Sequence, residues 1–128
     1  MKKGLFILLI FCFSLTVISC GDLKEESTTT DTTAPVIAEV TAVTTPTNDS
    51  TPDYTFSSDE AGTITYGGSC SSSTSIVISG NNTITLNSLS DGTYSDCTIA
   101  IRSSTGYLSN ILTITSFIVD STAATLTE

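Results

Sequence analysis

From residue 34 to residue 119 the apolar residues recur at alternate positions in short runs, and no window carries the 3.6-residue period of an amphipathic helix. Such a pattern builds short strands. Val36, Ala38, Val40 and Ala42 share one parity before Pro46, Asn48, Asp49 and Pro52 break the chain. Tyr54 and Phe56 alternate with Asp53, Thr55 and Ser57; Ala61-Gly62 then leads into Ile64 and Tyr66, Gly67-Gly68 ends that run, and Ile76 to Ile78 follow. Gly80-Asn81-Asn82 signals a turn before Ile84 and Leu86. Asp91-Gly92 turns into Cys97, Ile99 and Ile101, and Gly106 precedes Leu112, Ile114, Phe117 and Val119. Seven runs spaced by about 8–12 residues predict an all-β fold, an antiparallel seven-stranded β-sandwich.

Two breaks of parity sharpen this expectation. Tyr94 and Cys97 are separated by an odd number of positions, as are Ile114 and Phe117, so a regular strand would send the members of each pair to opposite faces. Burying all four requires an extra residue in each strand. The sequence therefore predicts β-bulges at Ser95-Asp96 and Thr115-Ser116.

Composition narrows the chemistry. A chain of 128 residues is enough for one domain and too short for two. It holds 25 Thr and 20 Ser, which favour strands and turns over helix interiors. Four basic residues against thirteen acidic ones give a net charge of −9, the wrong sign for a protein that binds nucleic acid by counterion release. No histidine and no tryptophan are present, which excludes Ser-His-Asp triads, Cys-His dyads and histidine-ligated metals. No cofactor and no metal are expected.

The N-terminus has a basic start, Met1-Lys2-Lys3, followed by an almost wholly apolar run from Gly4 to Ile18. That run is shorter than the ~20 residues needed to span a bilayer as a helix. Its end, Val17-Ile18-Ser19-Cys20, resembles a bacterial lipobox, so residues 1–19 are expected to be a lipoprotein signal peptide and Cys20 the lipidated first residue of the exported chain. Acylation there supplies the two or more chains that stable anchoring needs, making the membrane a partner through the lipid. Without residues 1–19 the chain keeps only Lys24 and Arg102 against thirteen acids, a formal charge of −11. Residues 20–33 lack any apolar periodicity and read as a flexible tether about 20 Å long between lipid and domain.

Residues 34–120 then form the domain, and residues 121–128 a C-terminal tail. Asp31-Thr32-Thr33-Ala34-Pro35 is echoed 89 residues later by Asp120-Ser121-Thr122-Ala123-Ala124, which reads as the start of a second copy of a repeating unit. Besides the first of these segments, the motifs are Thr45-Pro-Thr-Asn-Asp-Ser-Thr-Pro52, Tyr54-Thr-Phe56, Glu60-Ala-Gly-Thr-Ile64 and Leu89-Ser-Asp-Gly-Thr-Tyr94. In this order and spacing, the stretch from Asp31 to Asp120 resembles the bacterial Ig-like domains found in tandem on exported proteins. The resemblance implies a seven-stranded Ig-like β-sandwich serving as an adhesive or spacer module with no chemistry of its own; together with the lipobox, the expectation is a protein of the cell envelope, on the outer membrane or cell surface, with a surface protein or polysaccharide as ligand. Where that family often reads Asp-x-x-Gly-Asn before the last strand, this chain has Ser103-Ser104-Thr105-Gly106-Tyr107, so no ligand role is carried over to that loop.

The remaining candidates are weighed residue by residue. With Cys12 in the signal and Cys20 lipidated, Cys70 and Cys97 remain. An oxidising compartment favours a disulfide between them, the alternative being two buried, unbridged thiols. The bridge is expected to tie the loop after the third strand to the sixth strand, its neighbour in one sheet, and to clamp Ser71 to Ser75. Asp59-Glu60 invites an acid–base reading, but adjacent strand residues point to opposite faces. Asp31, Asp49, Asp53 and Asp120 offer oxygen ligands for calcium near the domain ends without any recognised ligand spacing. A carbohydrate-binding module is the alternative function, and it needs a platform of exposed rings. Of Tyr54, Tyr66, Tyr94 and Tyr107, the first two alternate into the core, Tyr94 fits a tyrosine corner, and Tyr107 is expected to be exposed.

Overall fold

The structure, a computed structural model, describes residues 30–123. Among them are nine strands and no helix: β1 (Ile37–Thr41), β2 (Asp53–Ser58), β3 (Gly62–Gly67), β4 (Ile76–Val77), β5 (Gly80–Thr85), β6 (Gly92–Tyr94), β7 (Thr98–Ser103), β8 (Leu112–Thr113) and β9 (Phe117–Val119). The described residues therefore include no helix long and apolar enough to cross a membrane. Three sheets result, ordered β1-β2-β5, β4-β3-β7-β8 and β6-β9, and every ladder is antiparallel. The all-β antiparallel architecture is as expected and consistent with a β-sandwich. The strand count differs from the seven predicted.

The difference comes from the two parity breaks. Neither is a bulge in a continuous ladder. Gly92↔Val119, Tyr94↔Phe117, Thr98↔Thr113 and Ile99↔Leu112 all belong to one register, yet pairing stops between Tyr94 and Thr98 and, opposite it, between Thr113 and Phe117. A bulge on one strand alone would leave the partner a residue out of step. Two facing interruptions keep the strands in step and turn both faces over together. Across this gap the amide of Ile114 still donates to the carbonyl of Cys97 at 2.9 Å. Cys97, Ile114 and Phe117 are buried and Tyr94 is half-buried, with the Tyr94 and Phe117 rings stacked at 5.4 Å.

The core gathers Tyr54 and Phe56 of β2, Ile64 of β3, Val77 of β4, Ile84 of β5, Ile99 and Ile101 of β7, and Phe117 and Val119 of β9. Burying each large side chain contributes roughly 1.5–3 kcal/mol. β1 departs from its sequence parity. Ile37 and Val43 are buried while Val36 and Val40 are exposed, and a register shift falls between Glu39 and Thr41. The physical reason is Glu39, whose charge marks it for solvent in the sequence but whose carboxylate is hydrogen-bonded at the rim of the core.

Two asparagine carboxamides stitch strand edges to neighbouring segments. Asn110 accepts from the amide of Ile37 at 2.9 Å and donates to its carbonyl at 3.0 Å. Asn82 treats Ile78 in the same way, at 2.9 and 2.8 Å. Each side chain imitates a strand partner, which blunts an edge that would otherwise recruit another chain.

Candidate functional site

Antiparallel pairing of β3 with β7 brings the segment after β3 beside the start of β7, where Cys70 and Cys97 form a disulfide with Cα atoms 5.2 Å apart. Both cysteines are buried. The two strands are neighbours in one sheet, as the sequence reading requires. Gly68 makes the approach possible: its φ of +74° is the left-handed conformation, and a Cβ there would run into the backbone of Asp96. The Ser69 hydroxyl donates to Asp96 at 2.8 Å and holds that carboxyl below its ordinary value. Beyond Cys70 the serine-rich segment is fastened on both sides. The carbonyl of Ser71 accepts from the amide of Asn87 at 2.8 Å, Ser72 donates to the carbonyl of Thr85 at 2.7 Å, and Ser75 accepts from Ile64 at 3.1 Å.

Each acidic candidate accepts at least one hydrogen bond within the fold. Asp59 accepts from the amide of Val36 at 2.7 Å, and Glu60 from the hydroxyl of Thr33 at 2.8 Å, so this pair anchors the incoming segment 33–36. Asp31, Asp49 and Asp120 each accept from the amide and the hydroxyl of a threonine two residues on, Thr33, Thr51 and Thr122 respectively. The echo between residues 31–35 and 120–124 is thus matched in structure by the same Asp-x-Thr turn. Asp53 accepts from Thr85 across the β2–β5 pair at 2.6 Å. Asp91 receives the Ser121 amide at 2.8 Å, the Ser121 hydroxyl at 2.5 Å and the Thr122 hydroxyl at 2.9 Å, which together lower its pKa. No group of three or more Cys, Asp or Glu suited to a metal ion occurs among the described residues. A shallow cleft of about 360 Å³ beside Asp120 is lined by Thr44, Pro46, Thr47, Asn48 and Asp120.

Three of the four tyrosines have their hydroxyls committed. Tyr54 is fully buried and donates to Glu39 at 3.1 Å, Tyr66 donates to the carbonyl of Thr74 at 2.8 Å, and Tyr94 to the carbonyl of Ser90 at 2.8 Å. The Tyr94 contact, reaching four residues back, has the form of a tyrosine corner. Tyr107 is 42% exposed, and one ring is a poor sugar platform. Sequence reasoning missed the Glu39 cluster, where the Thr115 amide and hydroxyl also donate to the carboxylate at 3.0 and 2.7 Å. Burial raises the Glu39 pKa, but the bonds from Thr115 and Tyr54 outweigh it and the net shift is downward. Burial and the nearby Glu39 charge push the Tyr54 phenol well up. Cys20, the expected lipidation site, and residues 1–19 lie outside the described residues.

No family model, no curated protein and no solved structure matches the chain.

Proposed function

We infer that the chain is a lipid-anchored protein of a bacterial cell envelope, tethered through Cys20, that displays one Ig-like β-sandwich for adhesion or as a structural spacer, without catalysis. The observation that carries the Ig-like reading is the unbroken register across the two interrupted strands. Counting β6 with β7 and β8 with β9 as single strands leaves seven, in a partition of three (β1, β2, β5) and four (β4, β3, β7–β6, β8–β9). The Tyr94 corner supports the same reading. Partners are the membrane, through the lipid, and a surface protein or polysaccharide.

Lipidation is tested by changing Cys20→Ala and supplying a labelled fatty acid to producing cells. Unprocessed precursor without label is the expected result; normal labelling of the variant overturns the anchor.

A further inference from the structure

The four strands of the β4-β3-β7-β8 sheet contain no acidic residue. Their solvent face carries a continuous cross-strand row: Ile76 of β4 opposite Thr63 of β3, Thr63 opposite Arg102 of β7, and Arg102 opposite Leu108 in the turn that follows. Directly paired residues project to the same side of a sheet. All four are exposed, Ile76 by 74% and Leu108 by 54%. Arg102 is the one basic residue among the described residues, against nine acids. The outer face of the β1-β2-β5 sheet is different in kind. There Thr55 and Thr83 bond each other at 2.8 Å, Thr85 bonds Asp53, and the charge is the Asp53 carboxylate's.

We propose that the outer face of the β4-β3-β7-β8 sheet is a docking surface for a protein segment that presents a carboxylate between aliphatic side chains. The carboxylate meets the Arg102 guanidinium, whose planar fork matches it and which tolerates burial at interfaces. Aliphatic groups on either side cover Ile76 and Leu108. A second copy of this chain is a poor occupant, because a twofold interface places the same patch on itself and these four strands hold no carboxylate to meet Arg102. Four strands span only about 15 Å across, so the contact belongs to the small, transient class. The proposal rests on the display-module reading above. Its readout does not involve lipidation, so the two can fail separately.

The test measures fluorescence anisotropy of two labelled peptides, acetyl-Leu-Ser-Glu-Ser-Leu-amide, whose alternate residues put the carboxylate and both leucines on one side when extended, and its Gln counterpart, against the full chain in neutral detergent micelles, which keep the chain dispersed with or without a lipid. The glutamate peptide is expected to bind at least ~10-fold more tightly than the glutamine peptide, and Arg102→Gln to remove that difference. Leu108→Asp should weaken the glutamate peptide by ~10-fold or more, while Asn81→Asp on the opposite sheet leaves it unchanged. Equal binding of the two peptides, or an Arg102→Gln chain that still discriminates, overturns the proposal. So does a dimer that Leu108→Asp dissociates, which would assign the face to a second copy. Polygalacturonate binding that survives Leu108→Asp and exceeds peptide binding would overturn it in favour of a polysaccharide.

Discussion

Replacing Glu39 with alanine tests whether a charge at the rim of the core holds β1 to the interrupted hairpin. The carboxylate accepts the Tyr54 hydroxyl at 3.1 Å and the Thr115 amide and hydroxyl at 3.0 and 2.7 Å. Tyr54 is fully buried, so its hydroxyl loses its partner in Glu39→Ala, and an unsatisfied buried donor costs about 1–3 kcal/mol. Thr115 is exposed and water can replace its partner, so those two bonds contribute about 0.5 kcal/mol each. Relief from desolvating the carboxylate offsets part of this, leaving a loss of about 2 kcal/mol. For a domain of this size that lowers Tm by roughly 8–16 °C. Urea unfolding followed by tyrosine fluorescence measures it directly. Tyr54→Phe removes the donor without a cavity and should cost about 1 kcal/mol, and the double variant should fall short of the sum by ~1 kcal/mol. An additive cycle, or a Glu39→Ala loss below about 0.5 kcal/mol, refutes the argument. The pH dependence has a definite sign. Because the folded pKa lies below the ordinary 4.5, the stabilisation is present above that value and is lost as pH falls through the lower folded pKa. Glu39→Gln should therefore flatten the acid limb of the stability curve.

Three further outcomes follow from the geometry. Removing the disulfide by Cys70→Ala with Cys97→Ala, a sequence separation of 27, should cost about 3.5 kcal/mol in urea unfolding and expose Ser71 to Ser75 to limited proteolysis. Gly68→Ala should destabilise by about 2 kcal/mol or more, since it combines a left-handed φ of +74° with overlap against Asp96; a thermal melt within about 2 °C of the parent would contradict this. Asn110→Ala strips Ile37 of both hydrogen bonds, so the Ile37 amide should exchange at least ~10-fold faster, and size-exclusion chromatography should show association through the β1 edge.

Much of this was legible from period-two alternation, because burying one face of a strand leaves a plain record in the sequence. Tyr54 with Phe56, Ile84 with Leu86, and Ile99 with Ile101 are buried as their parity demands. The Cys70–Cys97 bridge was legible too, since strand order sets its two ends side by side. What sequence could not supply is how the two breaks are resolved. A parity flip records that a strand turns over, but both a bulge and a pair of facing interruptions produce it, and only the partner's register separates them. The first run failed for a different reason. Alternation assigns charge to solvent, and Glu39 is turned inward by Tyr54 and Thr115, residues 15 and 76 positions away.

The hydroxyl-rich composition has a second role beyond strand propensity. With a single arginine among the described residues, nine acids cannot be neutralised by ion pairs. Eight of them accept from a Thr or Ser hydroxyl: Asp31, Glu39, Asp49, Asp53, Glu60, Asp91, Asp96 and Asp120. Asp59 takes the amide of Val36 instead. Neutral donors hold these carboxylates without opposite charge, so the attractive part of the acids' electrostatics has little that salt can screen. The repulsive part is different. A formal charge of −8 over residues 30–123 raises the free energy of the compact state, and its long-range component is damped once the Debye length falls from about 10 Å at 0.1 M to about 3 Å at 1 M. Sodium chloride should therefore raise Tm between 0.05 and about 0.5 M at pH 7, the opposite of a domain held by surface ion pairs. The rise should shrink in acid below the ordinary carboxylate range, where less negative charge remains to be screened. A Tm that falls with salt at pH 7 would mean that ion pairs, not hydroxyls, secure these acids.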